Sequence, residues 1–384
     1  MPIKNSPFDS IIDRRNTASI KWQKFEPDII PMWVADMEFA TPDVVTDALH
    51  ERINHPIFGY TATPESLVST VSEYCSNRHS WDIDTDCLTW VPGVLPALTA
   101  ACQIAGREGD EIIVFPPVYH PLLEIPEKIG KTRVDVPMVY FDNQWHIDFD
   151  LLEQSITEKT VAILISSPHN PMGVIFSTEQ LHKLASLCAQ NNLLLISDEI
   201  HCDLILHNDK QHVPTALAAG VHHASVITIM SPSKTFNLAG ANCSFVHITH
   251  PDWLDKFRAE CHYTIPLVPT LSYTAAEAAY SNGWQWHAQL IEYLRANHDY
   301  LLSNINKIDG LSMDPVEATY LAWINTSEPG IPDAHEFFKR AGIGFTPGSQ
   351  FGDERYQRLN FACSQAQLTE AVERIRHAVE KHFS

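Results

Sequence analysis

Residues 161–201 read VAILISSPHNPMGVIFSTEQLHKLASLCAQNNLLLISDEIH. Two unbroken apolar runs, VAILIS (161–166) and NLLLIS (192–197), bracket one helical pattern. Uninterrupted runs of this kind suit strands covered on both faces. Between them Ser177 and Gln180 have the spacing of a capping box, and Leu181, Leu184, Leu187 and Cys188 recur on one helical face. Strand–helix–strand alternation argues for an open α/β sheet, mostly parallel. Working outward, EIIVF (111–115), SVITIM (225–230) and CSFVHIT (243–249) repeat the same signature. The last hundred residues differ. A helical pattern carries Leu290, Leu294, Leu301 and Ile305. A C-terminal helix is expected to open at Ser364 with Gln367 and to bury Leu368, Val372, Ile375, Val379 and Phe383. Short strand candidates lie between the two. The expected division is a large α/β domain over 46–279 and a smaller α+β domain built from 280–384. The Pro-punctuated residues 1–45, with Pro27, Pro31 and Pro42, are expected to pack with the smaller domain.

The composition supports an ordered chain of more than one domain: 384 residues, 45% hydrophobic and 19% charged. Basic and acidic residues number 26 and 47, so the formal charge is 26 − 47 = −21. A field of that sign repels phosphate backbones and anionic lipid heads, which excludes nucleic-acid and membrane-surface binding as expectations. No apolar run has the length of a membrane span, and the first residues lack the apolar core of a signal peptide. The eight cysteines are scattered without a C-x-x-C pair. They read as reduced core thiols in a cytoplasmic protein, neither a disulfide frame nor a zinc site. The histidines show no metal spacing, and no Gly-rich nucleotide fingerprint is present.

In open α/β sheets ligands bind beyond the carboxyl ends of the strands. The short segments just past these apolar runs therefore make up the candidate site. Ser167-Pro168-His169-Asn170 follows the first, Asp198-Glu199-Ile200-His201 the second, and Ser231-Pro232-Ser233-Lys234 follows SVITIM. Pro116-Pro117-Val118-Tyr119 follows EIIVF, and Pro92-Gly93-Val94-Leu95 follows CLTWV (87–91) and runs into an apolar helix. Together these residues suit pyridoxal 5'-phosphate. Lys234 can form the Schiff base, and Asp198 can keep the pyridine nitrogen protonated. Asn170 can donate to the phenolic oxygen while Tyr119 stacks on the ring. The Val94 and Leu95 amides at the helix start after Gly93 can cradle the phosphate with the Ser231 and Ser233 hydroxyls.

Taken in order, PHNPMG, the acid of SDEIH and SPSKTFN resemble the fold-type I pyridoxal-phosphate enzymes of the aminotransferase class I/II superfamily. The resemblance runs essentially end to end. More narrowly, PMWVADMEFATP (31–42), HPIFGYT (55–61), PGVLPAL (92–98), PPVYHPL (116–122), DEIHCDL (198–204) and RLNFA (358–362) are similar to the MalY/PatB-type carbon–sulfur β-lyases. The resemblance implies that Tyr60 reaches the cofactor phosphate of a partner subunit, so that the active form is a homodimer. It also implies that Arg358 pairs with the substrate α-carboxylate and that the backbone near Ala35 closes over the same group. Two positions depart from the aminotransferase pattern: Asn242 stands where an arginine commonly contacts the phosphate, and His201 where a tyrosine commonly lies near the phenolic oxygen. A ring or phosphate hydrogen bond is the expected role for His201.

The expected activity is β-elimination from a cysteine S-conjugate such as L-cystathionine, releasing thiol, pyruvate and ammonia. Two alternatives stay open: an aminotransferase on the same scaffold, and a regulatory protein acting through an unidentified protein partner. The retained lysine and its supporting set argue against loss of chemistry.

Overall fold

The computed structural model describes residues 6–327, 330–331 and 333–383. Seven strands form the main sheet: β1 (Leu88–Val91), β2 (Glu111–Val114), β3 (Thr132–Asp135), β4 (Thr160–Ser166), β5 (Leu194–Asp198), β6 (Val226–Met230) and β7 (Ser244–Ile248). Their spatial order is β1-β7-β6-β5-β4-β2-β3. Every pairing is parallel except the two made by β7, which runs antiparallel to β1 and β6. Alternate residues along each strand enter different cores. Ile113, Ile163, Ile165, Leu195 and Phe245 join one, while Ile112, Leu164, Ile196, Ile227, Ile229 and Val246 join the other. Both faces are thus covered, which is why the strands carry no polar alternation.

Helix α1 (Val94–Ile104) follows β1 directly. Helix α2 (Thr178–Gln190) crosses from β4 to β5. The expected capping box is present: the Gln180 N–H donates to Ser177 Oγ at 3.2 Å, and the Ser177 N–H donates to Gln180 Oε1 at 2.9 Å.

A second sheet and two long helices dominate the C-terminal part. Helix α3 (Trp284–Ile305) leads to the strands β8 (Ser312–Met313), β9 (Leu321–Asn325), β10 (Thr346–Pro347) and β11 (Tyr356–Asn360), in the order β8-β9-β11-β10. Helix α4 (Gln365–Phe383) closes the described chain, and the Gln367 N–H donates to Ser364 Oγ at 3.3 Å. Leu290, Leu294, Leu301 and Ile305 meet Leu368, Val372, Ile375 and Val379 in one core. Phe8, Ile30, Met32, Met37 and Phe39 from the N-terminal stretch enter the same core, as do Leu204 and Leu206. Phe383 does not: it is 55% exposed, because it stands at the last described turn, beyond the packed face. Among the described residues no helix is long and apolar enough to cross a membrane.

Candidate active site

Register places the candidate residues on one edge. Ser166 pairs with Asp198 and Asp198 with Ile229, so Ser167–Asn170, Asp198 and Ser231–Lys234 emerge side by side at the carboxyl ends of β4, β5 and β6. Tyr119 joins them through its backbone, whose N–H donates to the Asn170 carbonyl at 2.9 Å.

Lys234 is partly buried, and its Nζ donates to the Ala35 carbonyl at 2.5 Å. Desolvation lowers its pKa to about 8; nearby Asp36 opposes the shift, and Arg358 adds to it. The Tyr320 hydroxyl donates to the same carbonyl at 3.0 Å. Asp198 is buried, accepts one hydrogen bond from the Ile200 N–H at 3.2 Å and forms no ion pair among the described residues. Burial pushes its carboxyl up to about 7. A buried acid without a cation needs a positive or proton-bearing partner. A protonated pyridine nitrogen is such a partner.

Arg358 stands on β11 opposite Trp323 and Thr346 of the flanking strands. Its Nη1 donates to Asn170 Oδ1 at 3.0 Å and its Nη2 to the Trp33 carbonyl at 2.9 Å, while Nε is buried without a partner. The guanidinium lies 4.7 Å from the Phe351 ring centroid. No carboxylate among the described residues pairs with it, and burial pulls its pKa down to about 10. Every fixed contact is to a neutral oxygen or an aromatic ring. The plane is therefore held in place with its charge unanswered, which is the chemistry of an anion site.

The candidate phosphate cradle lies at the start of α1. Gly93 has φ +115°, and no side chain caps the helix, which leaves its first amides without a side-chain partner. The Val94 side chain is buried and that of Leu95 is 45% exposed. Asn242 Oδ1 lies 3.7 Å from the place a Cβ on Gly93 would take, so the arginine-to-asparagine departure falls at this cradle. The Ser231 hydroxyl donates to the Cys243 carbonyl at 2.7 Å and lies 2.7 Å from Ser233 Oγ. The Ser231 proton is thus committed, which makes the Ser233 hydroxyl the donor across that contact; it would turn from Ser231 to reach a phosphate. His201 is buried, its Nδ1 lacks a partner, and its ring lies 6.2 Å from that of Tyr320. Desolvation and the charges of Lys234 and Arg358 hold it well below the ordinary histidine range, and so neutral. Tyr60 is not brought into the site: it is fully exposed, in a stretch with neither helix nor strand.

The uncapped helix start, the buried acid and the lysine fit the three polar ends of pyridoxal phosphate. Residues that the sequence did not single out also shape this edge. Asn360 Nδ2 donates to the carbonyls of Val34 and Asp36, each at 2.7 Å, and so fixes the segment that carries Ala35. Asn237 accepts from the Met37 N–H at 3.0 Å and donates to the Phe39 carbonyl at 2.8 Å. Asn360 was within reach of sequence reasoning, because it stands two residues beyond Arg358 on one strand and so on the same face. Tyr320 carried no such signal.

The comparisons with known proteins agree with this geometry. The chain is 36% identical over 390 residues to the cystathionine beta-lyase PatB of Bacillus subtilis (strain 168), covering 97% of this chain and 99% of that one. Among solved structures, OvoB superposes with a TM-score of 0.94 at 35% identity, covering 97% of this chain and 98% of the other. The PLP-bound C–S lyase of Staphylococcus hominis superposes with a TM-score of 0.92 at 30% identity, covering 98% of each chain. The model of the family described as aminotransferase class I and II matches residues 27–375, and the chain belongs to that family.

Proposed function

We propose that this chain is a pyridoxal-phosphate-dependent carbon–sulfur β-lyase acting on cysteine S-conjugates, with L-cystathionine as the reference substrate. The observation that carries the reading is Arg358, a buried guanidinium fixed in place with no carboxylate among the described residues to answer it. An amino-acid α-carboxylate supplies that missing charge. Similarity to PatB and to the Staphylococcus hominis lyase supports the choice of reaction.

When bound, pyridoxal phosphate supplies an aldehyde for the substrate amine and a conjugated ring that accepts the electron pair left at Cα. The α1 amides and the Ser233 hydroxyl would hold its phosphate, Asp198 would keep its ring nitrogen protonated, Tyr119 would stack on the ring, and Lys234 would hold its aldehyde until the substrate amine takes that place. Arg358 fixes the substrate carboxylate and so sets which Cα bond faces Lys234. Lys234, with its pKa near 8, then takes the α-proton, a task suited to an amine poised close to neutral pH. The Cβ–S bond breaks and the thiolate leaves, taking up a proton. The three-carbon enamine consumes one water to give pyruvate and ammonia. Neutral His201 donates a hydrogen bond in this scheme and carries no proton relay.

The assay is pyruvate release from L-cystathionine by the wild-type chain and by Arg358→Ala. Truncating one side of a buried charge pair costs about 2–5 kcal/mol, so kcat/KM should fall roughly 30-fold to several thousand-fold, with cofactor affinity unchanged. Arg358→Lys should recover only part of the loss, since an ammonium lacks the fork geometry. Loss of cofactor in place of substrate affinity would overturn the assignment.

The same reading places a second copy of the chain at the site. Exposed Ile57, Phe58 and Tyr60 share a stretch tied by Thr61 and Thr63 to Thr270 and Tyr273. An apolar surface of that kind supports a homodimer in which Tyr60 serves the partner's phosphate. The cores largely follow the division into 46–279 and 1–45 with 280–384, with Leu204 and Leu206 crossing into the smaller unit's core and Val45, Trp323 and Phe351 into the larger one's. Eight unbridged cysteines support a reducing, cytoplasmic setting.

A further inference from the structure

Lys24 and His120 stand beside the Arg358 anion site, and the chemistry above uses neither. Lys24 follows the short helix Ile20–Gln23. Its Nζ lies 3.8 Å from the Trp33 ring centroid and 5.5 Å from that of Phe25, and it pairs with no carboxylate among the described residues. Trp33 is the residue whose carbonyl accepts from Arg358 Nη2 at 2.9 Å and from Thr346 Oγ1 at 2.7 Å. One residue therefore carries the lysine ammonium on its ring and the arginine on its backbone. His120 opens the helix His120–Lys128, with its ring 5.1 Å from Tyr119 and 6.4 Å from Phe351. Phe351 is the same ring that Arg358 covers at 4.7 Å. The Nδ1 of His120 is buried without a partner. Burial lowers the His120 pKa, Glu124 one helical turn on opposes this, and the charges of Arg358 and Lys24 add to it, so both cations lie within electrostatic reach of the imidazole.

We propose that Lys24 and His120 form a distal subsite for a second carboxylate, carried on the far side of the sulfur. This rests on the lyase reading, in which Arg358 takes the α-carboxylate. The substrate class is then a cysteine S-conjugate whose thiol half bears its own acidic head group. S-alkyl cysteines lack the group that this subsite answers. Lys24 is suited to the task because stacking on Trp33 restrains a long side chain and limits the entropy lost on binding. His120 contributes as a neutral N–H donor. The Glu124 carboxylate, exposed on the same helix, stands where an ammonium of a distal amino acid would be favoured.

The test compares L-cystathionine with S-ethyl-L-cysteine on the holoenzyme. Lys24→Met should lower the ratio of their kcat/KM values by roughly two- to fivefold, the scale of one partly solvated charge pair. Lys24→Arg should keep the ratio, and His120→Phe should lower it as Lys24→Met does. The same ratio is read without turnover by calorimetric titration of both ligands into cofactor-loaded Lys234→Ala, with and without Lys24→Met. An unchanged ratio in both measurements, or an equal loss on both ligands, overturns the subsite. If the wild-type chain released no pyruvate from either compound while calorimetry still showed the Lys24-dependent preference, the subsite would stand and the lyase reading would fall.

Discussion

Asp198 carries a prediction that separates the empty protein from the loaded one. Its carboxyl is pushed up to about 7 by burial, against roughly 3.9 in an unfolded chain. Between those values the folded apoprotein holds a proton that the unfolded chain has released. Stability from this group is whole below about pH 4 and is lost as pH rises through about 7. An asparagine has no such proton to lose. The Asp198→Asn apoprotein should therefore melt a few degrees above the wild-type apoprotein at pH 8, with the gap closing towards pH 5. Pyridoxal phosphate should reverse the order at pH 8, because only the carboxylate can face a protonated ring nitrogen. Thermal melts at both pH values, with and without cofactor, check this; a wild-type apoprotein already the more stable at pH 8 would contradict it. At this scale the sequence was informative where a residue followed a strand. Asp198, Asn170 and Lys234 could be located because register alone brings strand ends together. Tyr320 could not, because its contact with Ala35 depends on how the N-terminal stretch packs beside the second sheet.

At the scale of elements, the turn from β1 into α1 is the most demanding piece of backbone at the site. Gly93 has φ +115° and ψ 158°, a region open essentially to glycine alone. A methyl added there meets nothing closer than 3.7 Å, so the cost of Gly93→Ala is backbone strain of about 1–3 kcal/mol. Relieving that strain moves the α1 amides, and cofactor affinity should weaken roughly 10- to 100-fold. Gly109→Ala is the control: φ is +84° there with open space around it, in a turn at the opposite end of β2. That variant should lose stability and keep its cofactor affinity. Titrating pyridoxal phosphate into both apoproteins decides the matter, and equal affinities would remove Gly93 from the cradle. The capping box of α2 and the buried strands were legible because each is a local pattern. The antiparallel sense of β7 was not, since CSFVHIT is equally apolar read in either direction. Phe383 was misplaced for a related reason: helical period continues past the point where a packing partner ends.

At the scale of the whole molecule, the proposed homodimer puts a second copy of the chain at each site. Tyr60 is fully exposed on one chain and is assigned to the phosphate of the other. Mixing Tyr60→Phe with Lys234→Ala under subunit exchange should restore up to about a quarter of wild-type activity, because exchange at random makes half the dimers mixed and each mixed dimer has one intact site. No recovery after confirmed exchange would place Tyr60 elsewhere. Little of the proposed assembly is written in local pattern, because Tyr60 lies in a stretch with neither helix nor strand. In the proposed elimination the electron pair left at Cα forms the Cα–Cβ double bond while the Cβ–S pair departs with the thiolate. The most direct test of this is product analysis with limiting enzyme, comparing L-cystathionine with L-alanine, which has no β-leaving group. Elimination should give many equivalents of pyruvate, ammonia and thiol per site from L-cystathionine in equal amounts, with the cofactor recovered as pyridoxal phosphate. At most one equivalent of keto acid per site from either compound, with the cofactor recovered as pyridoxamine phosphate, would contradict it.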